Sequence, residues 1–287
     1  MQYPATELVL DKNGNVYHLG LSSKNISSKI ILVGDQNRVN LVASLFDSIE
    51  HSSQHREFAC KTGTYMNKHI TVLSTGIGTD NIDITISELD AIANIDIANR
   101  RDKSNFKSLD IIRIGTCGIL QPEVPINSFI LSTYALGLDN VAHFYDVKFT
   151  EEEENLKEQI LKQVNLPPLI KPYLVKASER INEKIKSEKT MEGITITSSG
   201  FYGPQGRTLR LKNKVSNINQ QLTNFSSEHN KIINFEMESS ALFALGKSLG
   251  HNCGTICLGI GNRPNKEFSK DYKGEMIKLI QYVLDRI

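Results

Sequence analysis

The sequence predicts an α/β fold in which a β-sheet carries helices on both faces. Short apolar runs rich in β-branched residues alternate with stretches of helical periodicity, and this alternation is typical of α/β sheets. Several apolar runs end at Gly, Ser or Thr, as strands do when they open into functional loops. We find no internal repeat or low-complexity segment, so we expect one domain over residues 1–287, with residues 1–15 as an N-terminal extension.

Eight segments have the length and composition of buried strands. In chain order they are residues 29–34, 70–75, 110–115, 128–134, 173–178, 194–199, 232–237 and 255–261. Apolar residues recur at helical spacing over 80–99 and towards the C-terminus over 276–287. The polar stretches near 146–155 and 212–230 are interpreted as surface excursions. In such sheets the chemistry lies at the carboxyl ends of the strands.

Composition excludes several classes of function. The 33 basic and 32 acidic residues leave a net charge of +1, too little to attract nucleic acid or an anionic membrane. The four cysteines are too few and too scattered for a disulfide framework. The N-terminus lacks the pattern of a signal peptide, and no run reaches the roughly 20 apolar residues of a membrane span. We therefore expect a protein of the reducing cytoplasm without nucleic-acid or membrane partners.

Two glycine-containing motifs follow predicted strands and are candidates for binding an anion. In GDQNR (34–38) the glycine lets backbone N–H groups approach an anion, and Arg38 adds positive charge. Taken alone, however, this motif is more typical of an ordinary strand–helix junction. In IRIGTCG (112–118) Arg113 lies inside an apolar strand, a costly place for an unpaired charge. A structural ion pair could satisfy it, but the nearby Thr116 hydroxyl and glycine N–H groups favour an anion site.

The motif NFEMES (234–239) contains two carboxylates, Glu236 and Glu238. On a strand they would share a face, whereas a helix beginning at Met237 would separate them. Acids at a helix start commonly stabilise its N-terminus. A carboxylate can instead accept hydrogen bonds from two neighbouring hydroxyls, or take part in glycosidase-like chemistry. The sequence leaves these alternatives open.

A fourth motif, FYGPQGR (201–207), combines aromatic and amide side chains with an arginine. A flat ring could stack on Phe201 while Gln205 contacts an amide edge and Arg207 an oxygen; an ordinary turn is the alternative. VYHLGL (16–21) and HREF (55–58) each contain a histidine, His18 and His55. Either histidine alone is more often structural than functional.

Together and in this order, the motifs resemble the nucleoside phosphorylase superfamily, and most closely its uridine phosphorylase branch. The matching segments are VYHLGL, VGDQNRV, SQHREF, STGIG, IRIGTCGILQP, GFYGPQGR and NFEMES, from about residue 16 to 263. The resemblance implies a mixed, partly barrel-like central sheet flanked by helices. It implies phosphorolysis of uridine, and of other pyrimidine nucleosides, to free base and ribose 1-phosphate, in salvage and catabolism. Phosphate is then a co-substrate, and no organic cofactor is expected.

The resemblance also implies roles for individual residues, with Arg113, Glu238 and Arg207 as the catalytic ones. The expected phosphate site consists of Gly34, Arg38, Arg113 and Thr116, with Arg56 from a neighbouring subunit. The expected ribose site consists of Met237 and Glu238, with His18 from the neighbour. The expected base site consists of Gly118, Phe201, Gln205 and Arg207. Such sharing requires a homo-oligomer, either a dimer or a hexamer built of dimers.

Some members of the family bind a monovalent cation between subunits, and the matching positions here are Glu57, Ile77 and Asn81. Asn81 replaces the usual Ser. A potassium ion is therefore an expectation of the resemblance alone.

Two alternatives lie in the same superfamily, the purine nucleoside phosphorylases and the adenosine-type nucleosidases. Both typically carry an Asp near the last strand that protonates the purine. Here Asn262 occupies that place and cannot act as a general acid. A nucleosidase, which uses water, also has no need of three phosphate-binding arginines. A non-catalytic nucleoside-binding homologue would be expected to have lost phosphate or ribose residues, and all of these are present.

Overall fold

The computed structural model describes residues 2–287 and contains a mixed β-sheet with helices on both faces. The strands are β1 (Lys29–Val33), β2 (Ser48–His55), β3 (Phe58–Tyr65), β4 (Lys68–Ser74), β5 (Ile95–Asp96), β6 (Arg101–Asp102), β7 (Asp110–Ile119), β8 (Phe129–Gly137), β9 (Tyr173–Lys176), β10 (Thr190–Thr197), β11 (Ile232–Glu236), β12 (Asn252–Asn262) and β13 (Glu267–Phe268). The helices are α1 (Gln36–Ala43), α2 (Thr79–Asn94), α3 (Glu151–Gln163), α4 (Glu179–Ile185), α5 (Ile218–Asn224), α6 (Ser239–Ser248) and α7 (Lys273–Leu284).

Part of the sheet closes on itself. Strand β12 pairs with β8 and with β7, and the order β12-β8-β10-β11-β7 forms a ring. From β7 the sheet continues outward through β1 and β4 to the antiparallel strands β3 and β2. Pairings within the ring are both parallel and antiparallel. The expected mixed, partly barrel-like sheet is therefore confirmed.

Strand β1 shows why helices cover both faces. Its residues Ile30 and Leu32 pack with α2 and α6, whereas Ile31 and Val33 pack with α1, α4 and α7. Because successive side chains of a strand point to opposite faces, a strand buried on both sides is apolar throughout. The run KIILV has this pattern.

The eight predicted strands and both predicted helices are present, although their ends differ by a few residues. The prediction missed the hairpin of β2 and β3, because β2 is polar and largely exposed. It also missed α3 and α5, which overlap the two polar stretches interpreted as surface excursions. The N-terminal extension packs on the fold: Leu8 is buried, and the Arg100 side chain donates hydrogen bonds to the carbonyls of Tyr3, Pro4 and Leu8. Within residues 2–287, no helix has the length and apolar character needed to cross a membrane.

Helix α3 is fixed to the sheet by one buried carboxylate, Glu153. This carboxylate accepts hydrogen bonds from the N–H of Thr150 at 2.7 Å and of Lys176 at 2.9 Å, and it pairs with Lys247 at 2.8 Å. Burial alone would raise the pKa of Glu153, but these partners outweigh it and hold the pKa below the ordinary value of 4.5. Its contribution to stability is therefore present above pH 4.5 and is lost as the pH falls through the lowered pKa.

We expect Glu153→Gln to lower the free energy of unfolding at neutral pH by about 2–3 kcal/mol, because buried donors lose a charged acceptor. Urea unfolding at neutral pH and in acid measures the effect, and the difference from the unmodified chain should shrink in acid. Glu151→Gln, in the same helical turn but exposed, is the control. Equal stabilities of the two variants at neutral pH would contradict this account.

Candidate active site

The loops and strand ends around β1, β7, β11 and β12 enclose a cavity of about 610 Å³, a size typical of small-molecule sites. Most of the site residues expected from the sequence line this cavity. They are Gly34, Arg38, Ile77, Arg113, Thr116, Gly118, Phe201, Gln205, Arg207, Met237 and Glu238. Residues that the sequence did not single out for binding also contribute to the wall, among them Glu236, Asn262 and Arg263.

Arg113 lies on β7 with its side chain only 6% exposed. Gly115, two residues along the strand, leaves room for it, because an added Cβ there would lie 2.2 Å from Arg113 Nη1. The sequence suggested that the glycines of IRIGTCG expose N–H groups. The structure shows that Gly115 also accommodates the guanidinium group.

Two carboxylates contact this guanidinium group. Nη2 pairs with Glu238, and Nη1 lies 3.5 Å from Glu236 Oε2. Burial alone would lower the pKa of Arg113, but the charges of Glu238 and Glu236 outweigh it and raise the pKa. The structural ion pair, one of the two interpretations that the sequence left open, is therefore present, and Arg113 also lines the cavity.

A second guanidinium group, that of Arg38, lies at the same end of the cavity. The Asp35 side chain caps α1 and contacts Arg38 Nη2 at 3.2 Å. Burial lowers the pKa of Arg38; Asp35 opposes this, and the charge of Arg113 lowers the pKa further. Since the two cations repel each other, an anion between them is favoured. The Thr116 hydroxyl lies in the same wall and can donate a hydrogen bond to it.

The two acids of NFEMES have different environments. Strand β11 ends at Glu236, and α6 begins at Ser239. The Glu236 carboxylate accepts hydrogen bonds from the N–H groups of Glu238 and Ser239, so it satisfies the first free N–H group of α6. Glu238 Oε1 accepts a hydrogen bond from Gly78 at 2.8 Å. Burial raises the pKa of Glu238; Arg113 opposes this, and Glu236 raises the pKa further.

The motif FYGPQGR lines the cavity beside Gly118, which lies further along β7 than Arg113. Arg207 lies over the Phe201 ring, 3.6 Å from its centroid, and donates hydrogen bonds to the Phe201 carbonyl at 2.5 Å and to Gln205 Oε1 at 2.6 Å. One face of Phe201 is therefore covered by Arg207, an arrangement that the sequence did not suggest. Gln205 is 3% exposed, and no described residue accepts a hydrogen bond from its Nε2.

Arg263 is the main residue that the sequence analysis missed. It donates a hydrogen bond to the Gln205 carbonyl at 3.2 Å, and an added Cβ on Gly118 would contact both Arg263 and Arg207. Burial together with the charge of Arg263 lowers the pKa of Arg207 to about 10, and burial lowers that of Arg263. Neither arginine has a carboxylate partner among residues 2–287. The signal was present, because Arg263 follows the last predicted strand as Arg38 follows the first.

Asn262 lies beside Arg263, but its side chain is committed to the fold. Its Nδ2 donates hydrogen bonds to the carbonyls of Gln121 at 3.0 Å and Val124 at 2.8 Å, and its Oδ1 accepts one from Asn265 at 3.0 Å. A buried amide bound in this way has no proton to give to a substrate.

His18 and Arg56 do not line the cavity; they lie together on the surface. Arg56 forms the turn between β2 and β3 with φ 54°, and its guanidinium group is 5.7 Å from the Tyr17 ring. His18 Nδ1 lies 2.7 Å from Glu88, which leaves Nε2 as the free ring nitrogen. Gln36 of GDQNR donates a hydrogen bond to the Arg56 carbonyl at 2.7 Å. The β2–β3 turn is thus hydrogen-bonded to the loop that begins at Gly34, whereas the side chain of Arg56 lies over Tyr17 and not in the cavity.

The three positions of the expected cation site meet around Gly76. This glycine has φ 75°, and an added Cβ would lie 2.5 Å from Asn81 Nδ2 and 3.4 Å from Glu57 Cγ. These residues carry a carboxylate, an amide oxygen and a backbone carbonyl, which are the hard oxygen donors that a cation of this kind prefers. In the described part of the chain, no cluster of three or more His, Cys, Asp or Glu residues could hold a metal.

The chain is similar to known phosphorylases over most of its length. The family model of the phosphorylase superfamily matches residues 28–285. The uridine phosphorylase of Thermococcus kodakarensis is 26% identical, covering 94% of this chain and 85% of the relative; that of Escherichia coli K12 is 26% identical, covering 93% and 95%. A crystal structure of a Trypanosoma brucei nucleoside phosphorylase that shows uridine phosphorylase activity superposes with a TM-score of 0.88 at 29% identity, covering 98% of this chain and 100% of that one.

The close fit between Gly115 and Arg113 predicts the effect of a single methyl group. Gly115→Ala should displace the guanidinium group from the cavity and weaken binding of inorganic phosphate by about tenfold or more, through the loss of a charged hydrogen bond. Isothermal titration calorimetry measures the affinity. Gly274→Ala, where an added Cβ contacts nothing within 4 Å, is the control. If both variants bind phosphate equally well, Arg113 does not hold the anion.

Proposed function

Because the chain belongs to the phosphorylase superfamily, we propose that it cleaves uridine by phosphorolysis to uracil and ribose 1-phosphate. One observation carries the proposal: a single cavity is lined by the guanidinium groups of Arg38 and Arg113, by those of Arg207 and Arg263, and by the carboxylate of Glu238. Arg38, Arg113 and Thr116 suit a phosphate. Arg207 and Gln205 suit the oxygens of a uracil, and Glu238 suits the hydroxyls of a ribose.

The reaction follows from this arrangement. Phosphate held by Arg113 and Arg38 lies beside C1′ of the ribose, and one of its oxygens bonds to C1′ as the bond from C1′ to uracil N1 breaks. The electron pair of the broken bond passes to the uracil, where Arg207 stabilises the negative charge on the carbonyl oxygens. The anionic phosphate stabilises the positive charge that develops on the sugar. No covalent bond to the protein is required.

The preference for a pyrimidine rests on Asn262. Cleavage of a purine nucleoside is aided by an acid that protonates the base, and the position expected for that acid holds an amide that is bound to the fold. Uracil needs no such acid, because its carbonyl oxygens carry the charge. Thymidine and deoxyuridine offer the same carbonyl oxygens and belong to the same proposal.

The active site is proposed to be shared between two copies of the chain. His18 and Arg56 lie on the surface, away from the cavity of their own chain. In a symmetric dimer each would enter the partner's cavity, where Arg56 adds a third positive charge to the phosphate end and His18 contacts the 5′ hydroxyl. Glu57, Ile77 and Asn81 would hold a potassium ion at the same interface, with the remaining ligands from the partner; the ion would neutralise carboxylates there.

A reducing, cytoplasmic location is also proposed. All four cysteines are buried and free, which suits a compartment that keeps thiols reduced.

The first test is phosphate dependence. With phosphate present we expect uracil and ribose 1-phosphate in equal amounts from uridine, and in phosphate-free buffer we expect neither. Separation of the products by liquid chromatography measures both, with inosine and adenosine as control substrates. Release of uracil and free ribose without phosphate would identify a hydrolase instead.

The second test asks whether sites are shared. Arg56→Ala and Arg38→Ala should each be nearly inactive, but a mixed dimer has one site that carries both changes and one that carries neither. With random exchange of subunits, half of the dimers are mixed, so about a quarter of full activity should return. Differently tagged copies verify the exchange, and a mixture of two Arg56→Ala preparations is the control. If exchange occurs without recovery, Arg56 acts within its own chain.

A further inference from the structure

Glu236 is a buried acid that takes no direct part in the proposed reaction. Its carboxylate accepts hydrogen bonds from the N–H of Glu238 at 2.9 Å, the N–H of Ser239 at 3.0 Å and the Thr197 hydroxyl at 2.5 Å. Thr197 faces Glu236 directly, because β10 and β11 pair at these two residues. Bound to two backbone groups and a neighbouring strand, this carboxylate has a fixed position.

The same carboxylate contacts the arginine of the phosphate end. Glu236 Oε2 lies 3.5 Å from Arg113 Nη1, and the two side chains are 1% and 6% exposed. At such burial, water and salt screen the attraction between the charges only weakly. Glu238 contacts the other nitrogen, Nη2, and its second oxygen is held by one N–H group, that of Gly78. Arg113 therefore has one fixed carboxylate partner and one that is less constrained.

We propose that Glu236 is a positioning residue, which holds Arg113 at the phosphate end of the cavity while Glu238 binds the ribose. This inference rests on the proposed function. Arg113 Nη2 and Glu238 form an ion pair. A bound phosphate would compete with Glu238 for Nη2, and the hydroxyls of a bound ribose would compete with Arg113 for Glu238. Both ligands therefore weaken this ion pair. The contact of Arg113 Nη1 with Glu236 involves neither Nη2 nor the Glu238 carboxylate. The negative charge of Glu236 also compensates the buried guanidinium group of Arg113. A buried charge without a partner would destabilise the fold.

The alternative is that Glu236 only stabilises the start of α6, through its hydrogen bonds with the N–H groups of Glu238 and Ser239. Three variants separate the two roles. Glu236→Gln keeps an oxygen for the backbone N–H groups but removes the charge beside Arg113. Glu236→Asp keeps a shortened charge. Thr197→Val removes a hydrogen bond to the same carboxylate and leaves the charge in place, so it is the matched control.

The experiment measures kcat, the KM values for phosphate and for uridine, and Tm for each variant. Glu236→Gln should raise the KM for phosphate about tenfold or more while the KM for uridine changes less than about threefold, because only Arg113 loses a charged partner. Glu236→Asp should restore part of the phosphate affinity. Thr197→Val should lower Tm and leave the ratio of the two KM values unchanged.

Three outcomes would overturn the proposal: an unchanged KM for phosphate in Glu236→Gln, equal increases in both KM values, or a weaker phosphate affinity in Glu236→Asp than in Glu236→Gln. If Glu236→Gln does not fold, the comparison of Glu236→Asp with Thr197→Val tests the proposal. Only Glu236→Asp should raise the KM for phosphate more than the KM for uridine. Calorimetric binding of inorganic phosphate gives the same comparison without turnover. An unmodified chain that does not cleave uridine would therefore refute the proposed function and still leave the role of Glu236 testable.

Discussion

The organisation of the site depends on burying the positive charge of Arg113 inside a sheet. Strand β7 pairs with β1, β11 and β12, and the Arg113 side chain is only 6% exposed, so water compensates little of its charge. A buried charge must be paired, and here the carboxylates come from the junction between β11 and α6. The closed ring of strands makes this possible, because it brings β11 next to β7, although more than 100 residues separate them in the sequence.

Several local features follow from this one constraint. Gly115 has no side chain, because a Cβ would occupy the space of the guanidinium group. Helix α6 begins shortly after β11, so that Glu236 accepts a hydrogen bond from the N–H of its first residue, Ser239, while Glu238 pairs with Arg113 Nη2. The loop after β4 contributes the N–H of Gly78 to Glu238. Motifs that are far apart in the sequence, STGIG, IRIGTCG and NFEMES, are thus parts of one hydrogen-bonded unit.

The sequence predicted the strands and the cavity residues well because both leave local signals. An apolar, β-branched run such as KIILV has few alternatives to a buried strand, and an arginine inside the run DIIRIG has to be paired or bound. The missed elements lack such signals: β2 is polar, and α3 has few buried apolar residues. The separate roles of Glu236 and Glu238 depend on where β11 ends, and boundaries are the least certain part of a sequence prediction. The stacking of Arg207 on Phe201 depends on side-chain packing alone.

The two ends of the cavity differ in a way that fits the ligands of the proposed reaction. At the phosphate end Arg113 is paired with carboxylates, and a phosphate, charged throughout the reaction, can compete for such a guanidinium group. At the other end Arg207 and Arg263 have no carboxylate partner within residues 2–287 and lower pKa values than usual. A neutral uracil does not compensate the positive charges of these two arginines. The negative charge that passes to the uracil oxygens as the glycosidic bond breaks would compensate them. In the proposed reaction, uncompensated cations at that end would therefore stabilise the transition state more than the bound nucleoside, and such a difference accelerates a reaction.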